Sequence, residues 1–212
     1  MCKILTIPCG NVNCYLLDCD SFAILIDTAR EKYRDYLIKK LEGYNITLII
    51  LTHGHIDQIG NTAFLSKHFN AKVAMHSDDY KLSKNNSIHN IYVNSFLGNF
   101  LRFTSLKALK KVTTENFEPD IFFSDGDSLN KFGLDATIIH IPGHTKGSIG
   151  VLLNNNELIV GDTFMNVIYP TEALIVEDID MLRKSVLKVS LLNIRLLYPG
   201  HGKEITSIKV TL

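Results

Sequence analysis

The stretch THGHIDQ, residues 52–58, carries three side chains able to hold a cation on alternate positions: His53, His55 and Asp57. In a helix, residues two apart point away from each other, whereas on extended or loop backbone alternate side chains project to one side. The preceding run, NITLIIL (45–51), is mostly apolar and reads as a buried strand. Two imidazoles and a carboxylate delivered together to the mouth of a sheet repel or desolvate one another unless a cation lies among them. Metal ligation is therefore the chemistry expected of these three residues. Gly54 is expected to let the backbone turn tightly between the histidines.

Two histidines and one acid are not a complete site. The residues that would complete it are His144 in PGHTKGS (142–148), Asp162 in VGDT (160–163) and His201 in YPGHG (198–202). Each follows an apolar, strand-like run and stands next to a glycine, which places it where a strand gives way to a loop. His68, His76, His89 and His140 lack that context and read as ordinary polar residues.

Taken in order, THGHIDQ, PGHTKGS, GDT (161–163) and PGHG (199–202) resemble the motifs of the metallo-β-lactamase-fold superfamily, which includes glyoxalase II-type thioesterases, lactonases and β-lactamases. The resemblance covers nearly the whole chain. It implies an α/β (α+β) fold: an αββα sandwich of two mixed β-sheets flanked by helices, with metals at one edge. It also implies that His53, His55 and His144 hold a first metal, that Asp57 and His201 hold a second, and that Asp162 bridges the two. The activity implied is metal-dependent hydrolysis of ester, thioester or lactone bonds by metal-bound hydroxide, with Zn2+ as the ion and Asp57 as the catalytic group. Asp162 stands where the zinc β-lactamases have cysteine, which favours the glyoxalase II-like and lactonase-like branch. Only eleven residues follow His201, too few for the helical glutathione-binding extension of glyoxalase II.

Gln58 departs from that pattern, which usually has a histidine there. An amide oxygen is a weaker donor to zinc than imidazole, so Gln58 is at most a weak metal ligand. Three histidines with an open position remain sufficient for a catalytic zinc. The expected result is asymmetric: one tight metal and a second that is weaker or absent. An alternative within the same family is a mononuclear Fe2+ oxidoreductase resembling the persulfide dioxygenases, with His55, His144 and Asp162 as its ligands.

The elements that must position these residues follow from hydrophobic patterning. Three short β-prone runs, CKILTIP, NCYLLDC and SFAILIDTA, read as a meander with turns at Gly10-Asn11 and Asp20-Ser21. Helices are expected over 30–44, 60–69, 96–112 and 178–193, the last capped by Asp178 or Asp180. Strands are expected at 45–51, 72–76, 120–129, 135–143 and 194–202, with a hairpin over 148–162 turning at Asn154–Asn156. The chain reads as one domain, 1–212, with 77–120 as an insertion covering the site. The insertion's Tyr92, Phe96, Phe100 and Phe103 either line an acyl pocket or pack against the sandwich or a second chain. Lys146 reads as a solvated loop lysine, or as a contact for an anionic group of the substrate.

Lys+Arg and Asp+Glu number 22 each, so bulk charge gives no attraction to nucleic acid or anionic lipid. There is neither an apolar run of the ~18 residues that span a bilayer nor a secretory signal, and the location expected is cytoplasmic. The expected partner is a small-molecule substrate, not nucleic acid or a membrane; a homodimer is as compatible with the sequence as a monomer. The four cysteines, Cys2, Cys9, Cys14 and Cys19, are expected to be reduced, buried and apolar in role.

Overall fold

A computed structural model of the protein describes residues 2–85, 92–93 and 115–206. The first half contains β1 (Lys3–Cys9), β2 (Val12–Asp18), β3 (Ala23–Ile26), α1 (Arg34–Leu41), β4 (Ile46–Ile50), α2 (Ile56–Ile59) and α3 (Thr62–Phe69). Next come β5 (Lys72–His76), α4 (Tyr80–Lys84), β6 (Tyr92–Val93) and β7 (Ile121–Phe123). The second half runs β8 (Ala136–His140), β9 (Ile149–Leu153), β10 (Glu157–Gly161), β11 (Phe164–Met165), β12 (Thr171–Glu172), β13 (Ile175–Val176), α5 (Ile179–Ser190) and β14 (Leu196–Pro199).

Two mixed sheets result. The larger has the order β1-β2-β3-β4-β5-β7, antiparallel through the meander and parallel from β3 onward. The smaller has the order β14-β10-β9-β8, with β10 and β14 parallel and the other pairs antiparallel. Leu48 and Ile50 of β4 point into the space between the sheets, where they meet Ile138, Val151 and Ile159. Ile49 points the other way, into a core shared with Leu37 and Leu41 of α1 and Leu65 of α3. Both faces of β4 are thus covered, which is why its sequence is almost continuously apolar rather than alternating. On the outside of the smaller sheet, Leu182, Val186 and Val189 of α5 pack on Ile139, Leu158 and Val160. Spacings of four and three residues put those side chains on one helical stripe. Asp178 caps α5, its Oδ1 accepting from the N–H groups of Asp180 at 3.0 Å and Met181 at 2.9 Å. Helices, sheet, sheet, helix is the layering that the family resemblance implies.

Several local expectations need correction. β7 covers only three residues of the 120–129 run, because the chain turns at Ser124–Asp127, where Asp127 Oδ2 accepts from the Ser124 N–H at 2.7 Å. The last strand ends at Pro199, which leaves His201 on a loop. Cys2 and Cys19 are joined by a disulfide, so the four cysteines are not all reduced. The register of the first hairpin accounts for this: Lys3 pairs with Asp18, which makes residues 2 and 19 the next cross-strand neighbours. Cys9 and Cys14 are free and buried. The expected 96–112 helix, and the side chains of Tyr92, Phe96, Phe100 and Phe103, lie outside the described residues. No helix among the described residues is long and apolar enough to cross a membrane.

Candidate metal centre

All the strands that deliver candidate ligands release them at their carboxyl ends. β4 ends three residues before His53, β8 four before His144, β10 immediately before Asp162, and β14 two before His201. The larger sheet supplies the first of these and the smaller sheet the other three, so the centre straddles one edge of the sandwich.

Thr52 fixes the first loop. Its N–H donates to Asp27 Oδ1 at 2.8 Å, its hydroxyl to Oδ2 at 2.7 Å, and its carbonyl accepts from the N–H of Ile149 in the opposite sheet at 2.9 Å. Burial pushes the Asp27 carboxyl up to about 8, against the lowering effect of the Thr52 donors and with the charges of Asp162 and Asp57 adding to the rise. His55 still has extended backbone, with φ −73° and ψ 143°, and the chain then turns into the four residues of α2. Asp57 therefore does not continue the alternation of His53 and His55, as the sequence reading had it. The helical turn carries it toward His201, 3.9 Å from Nε2 to Asp57 Oδ2.

His53, His55, His144 and Asp162 form one group whose donor atoms all lie within 4.8 Å of one another. His144 Nε2 is 2.9 Å from His55 Nδ1 and 3.5 Å from Asp162 Oδ2, and His53 Nε2 is 3.7 Å from the same oxygen. Four ligands placed tetrahedrally at ~2.0–2.1 Å from a zinc ion stand roughly 3.3–3.4 Å apart. The observed separations bracket that value, so these residues fit a tetrahedral cation. The ring orientations agree. His144 Nδ1 bonds the Ile175 carbonyl at 2.7 Å and His201 Nδ1 the Asn11 carbonyl at 2.6 Å, which leaves each Nε2 facing the centre. Carbonyl partners of this kind fix both the tautomer and the aim of a metal-binding imidazole.

His201 Nε2 lies 3.1 Å from Asp162 Oδ2. Burial by itself would lower the His201 imidazole, but the Asp162 carboxylate, with help from Asp57, raises it to about 10. Burial likewise opposes ionisation of Asp162, yet His201 and His53 hold its carboxyl well below the usual carboxylate range. Gln58 is fully buried and donates from Nε2 to Asp162 Oδ1 at 3.3 Å, while its Oε1 has no hydrogen-bond partner among the described residues. The amide therefore meets the Asp162 carboxylate as a donor. Gly200 makes this crowding feasible, since a Cβ there would stand 2.1 Å from Asp162 Oδ1 and 2.9 Å from Gln58 Nε2. The loop after β14 is tied to β2, where Asn13 Nδ2 donates to the carbonyls of Pro199 at 3.0 Å and Gly202 at 2.8 Å.

The sequence reading missed Asp79. This buried carboxylate accepts from Gly54 N–H at 2.8 Å and Thr145 Oγ1 at 2.7 Å through Oδ2, and from Gly147 N–H at 2.7 Å through Oδ1. It thus clamps the His53–His55 loop to the His144 loop. Gly54 is required for close approach, because a Cβ there would lie 2.9 Å from the Asp79 carbonyl oxygen. Lys146 is exposed. A second group of donors, His76, Asp78 and His140, also comes within 4.8 Å. The rings of His76 and His140 lie face to face, 4.2 Å apart and 8° from parallel, so no single ion lies in both ring planes in this arrangement. His89 is outside the described residues.

Comparison with known proteins finds similar chains over most of this one. Residues 7–201 match the family model of the Metallo-beta-lactamase superfamily. Over 154 residues the chain is 29% identical to the hydroxyacylglutathione hydrolase GloC of Haemophilus influenzae, an alignment covering 71% of this chain and 65% of that protein, just under two thirds of its length. Over 188 residues it is 31% identical to a probable metallo-hydrolase of Methanocaldococcus jannaschii, covering 85% of this chain and 82% of the relative. Among solved structures, the BLEG-1 B3 metallo-beta-lactamase superposes with a TM-score of 0.71 at 23% identity, over 96% of this chain and 94% of that one. TTHA1623 in a di-iron-bound form gives 0.69 at 20% identity over the same shares. At those identities the superpositions establish the fold.

Proposed function

The chain belongs to the metallo-beta-lactamase superfamily, and from that premise we propose that it is a metal-dependent hydrolase of ester, thioester or lactone bonds in a small-molecule substrate. The observation that carries the reading is the convergence of His53, His55, His144 and Asp162 from the exits of both sheets, their donor atoms within 4.8 Å of one another. His53, His55 and His144 would hold the ion, leaving a position open for water, with Asp162 beside them toward the second position. When bound, zinc there supplies Lewis-acid polarisation of a carbonyl and makes a water acidic near neutral pH.

The chain's own residues do the rest. Asp57 keeps a partly exposed carboxylate beside the cluster, 18% accessible, and is the group that accepts a proton from the attacking water and passes it to the leaving group. His201, aimed by the Asn11 carbonyl, holds Asp162 in place. Gln58 orients the other oxygen of that carboxylate. With an amide in place of a further imidazole, the second position, formed by Asp57, Asp162 and His201, binds its ion more weakly than the first.

A panel of thioesters, esters and lactones, assayed with zinc-loaded, stripped and Asp57→Ala protein, tests the proposal. Turnover that needs the metal and falls by roughly 100-fold or more in Asp57→Ala is expected; metal-independent hydrolysis, or near-wild-type turnover in the variant, refutes it. The mononuclear iron reading uses His55, His144 and Asp162, which lie within the same cluster. Iron in the purified protein, with oxygen consumed on adding a persulfide, would favour it over hydrolysis.

A further inference from the structure

Each acid of the second position already faces a nitrogen-bearing side chain. His201 faces Asp162, and Arg30, which follows the exit of β3, places Nη2 3.6 Å from Asp57 Oδ2. Arg30 is anchored through its backbone: its carbonyl accepts from Asn61 Nδ2 at 2.8 Å and from the Tyr33 N–H at 2.9 Å. Its Nε is buried without a hydrogen-bond partner among the described residues, while the side chain as a whole is 36% exposed and its ion pair with Asp57 is what aims the guanidinium there. The group of donor atoms within 4.8 Å of one another includes neither Asp57 nor His201.

We propose that Arg30 is a built-in counter-cation for Asp57 which, together with Gln58, leaves the second metal position weak, so that the protein works with one tightly held ion. This rests on the reading of the centre as a metal site. A dication sharing the Asp57 carboxylate would have to displace a guanidinium or bear its repulsion, and the neighbouring amide offers no imidazole in compensation. Arg30 is on this account a positioning residue: it holds Asp57 in the orientation that a second ion would otherwise impose. The two departures, an arginine against the acid and a glutamine beside it, act in the same direction although they come from separate segments of the chain.

The test is metal binding rather than turnover. Zinc is titrated into full-length wild type, Arg30→Gln, Arg30→Lys, Gln58→His and Arg30→Gln/Gln58→His against a chromophoric chelator. Cobalt(II) absorption is recorded alongside as a signature of coordination. In the wild type, one ion should survive mild chelation, with the second roughly 100-fold weaker. Arg30→Gln should tighten the second ion by about tenfold or more, Arg30→Lys should leave it weak, and the double variant should retain two. Two equally retained ions in the wild type, or equal effects of the Gln and Lys substitutions, overturn the role of Arg30 while leaving the metal site intact. Failure of the wild type to retain any ion overturns the hydrolase reading, and this inference with it.

Discussion

Asp79 gathers two ligand loops onto one carboxylate, and its replacement by alanine has consequences that can be worked out bond by bond. Alanine leaves the N–H groups of Gly54 and Gly147 without their acceptor, while the Thr145 hydroxyl keeps Ser148 Oγ at 2.7 Å. Each orphaned buried donor costs about 1–3 kcal/mol, or ~2–6 kcal/mol for the pair. Part of that is returned, because burial raises the Asp79 carboxyl and keeping its charge inside is itself unfavourable. A net loss of roughly 2–4 kcal/mol follows, within a total stability of about 5–15 kcal/mol, so the variant should fold. Asp79→Asn separates the contributions: its single oxygen can serve Gly54 and Thr145, but its NH2 then faces the Gly147 N–H, for an intermediate loss of about 1–2 kcal/mol. Since the two tied loops carry His53, His55 and His144, zinc affinity should fall roughly 10–100-fold in the alanine variant. Urea unfolding of the stripped proteins and zinc competition measure the two effects. Unfolding free energies within ~0.5 kcal/mol of wild type for both variants, or an unmoved zinc affinity, refute the clamp.

Gly200→Ala should displace Asp162 and abolish tight metal binding, because its Cβ would stand 2.1 Å from Asp162 Oδ1; metal stoichiometry by mass spectrometry reads this out. Cys2→Ser should lower unfolding stability by about 1–2 kcal/mol, less than the ~3 kcal/mol that chain entropy assigns to a loop of similar length, because the hairpin already holds the ends together. Asp27 should impose a pH dependence on the metal-free protein: with a folded value of about 8 against ~3.9 unfolded, the native state binds the extra proton between those limits. Stability should therefore fall as pH rises through that window, by at most ~1.4 kcal/mol per unit, and Asp27→Asn should flatten the slope in denaturant titrations at pH 6, 7 and 8.

The convergence of His53, His55, His144 and Asp162 was legible because its signal is local. An apolar run covered on both faces, followed by a histidine or aspartate beside a glycine, marks a strand exit without knowledge of what lies opposite. Asp57 was legible as a residue but not in its placement, since α2 is only four residues long and gives no helical period to read. Asp79 left no signal at all. It adjoins Asp78, whose side chain is 56% exposed while Asp79 is 1% exposed, and its partners are 25, 66 and 68 residues away. The disulfide lay between these cases: the Gly10-Asn11 turn implies that residues 2 and 19 are paired, but only once the strand register is counted.

Gly54 shows how such a reading can select the right residue for the wrong reason, and the true reason bears on how the centre is built. Nothing about its own turn requires a glycine; the Asp79 segment does, by packing against it. The loops that carry the candidate ligands are thus assembled by contacts between the two sheets as well as by their own sequence: Thr52 to Ile149, Asp79 to Thr145 and Gly147, and Asn13 to Pro199. An ion held by residues from both sheets adds its binding free energy to the same closure. A ligand that binds only the folded state stabilises by about 2.7 kcal/mol at 100 times its dissociation constant. If these residues hold an ion, its binding and closure of the sandwich at this edge form one linked equilibrium, and a substitution in either should be felt in the other.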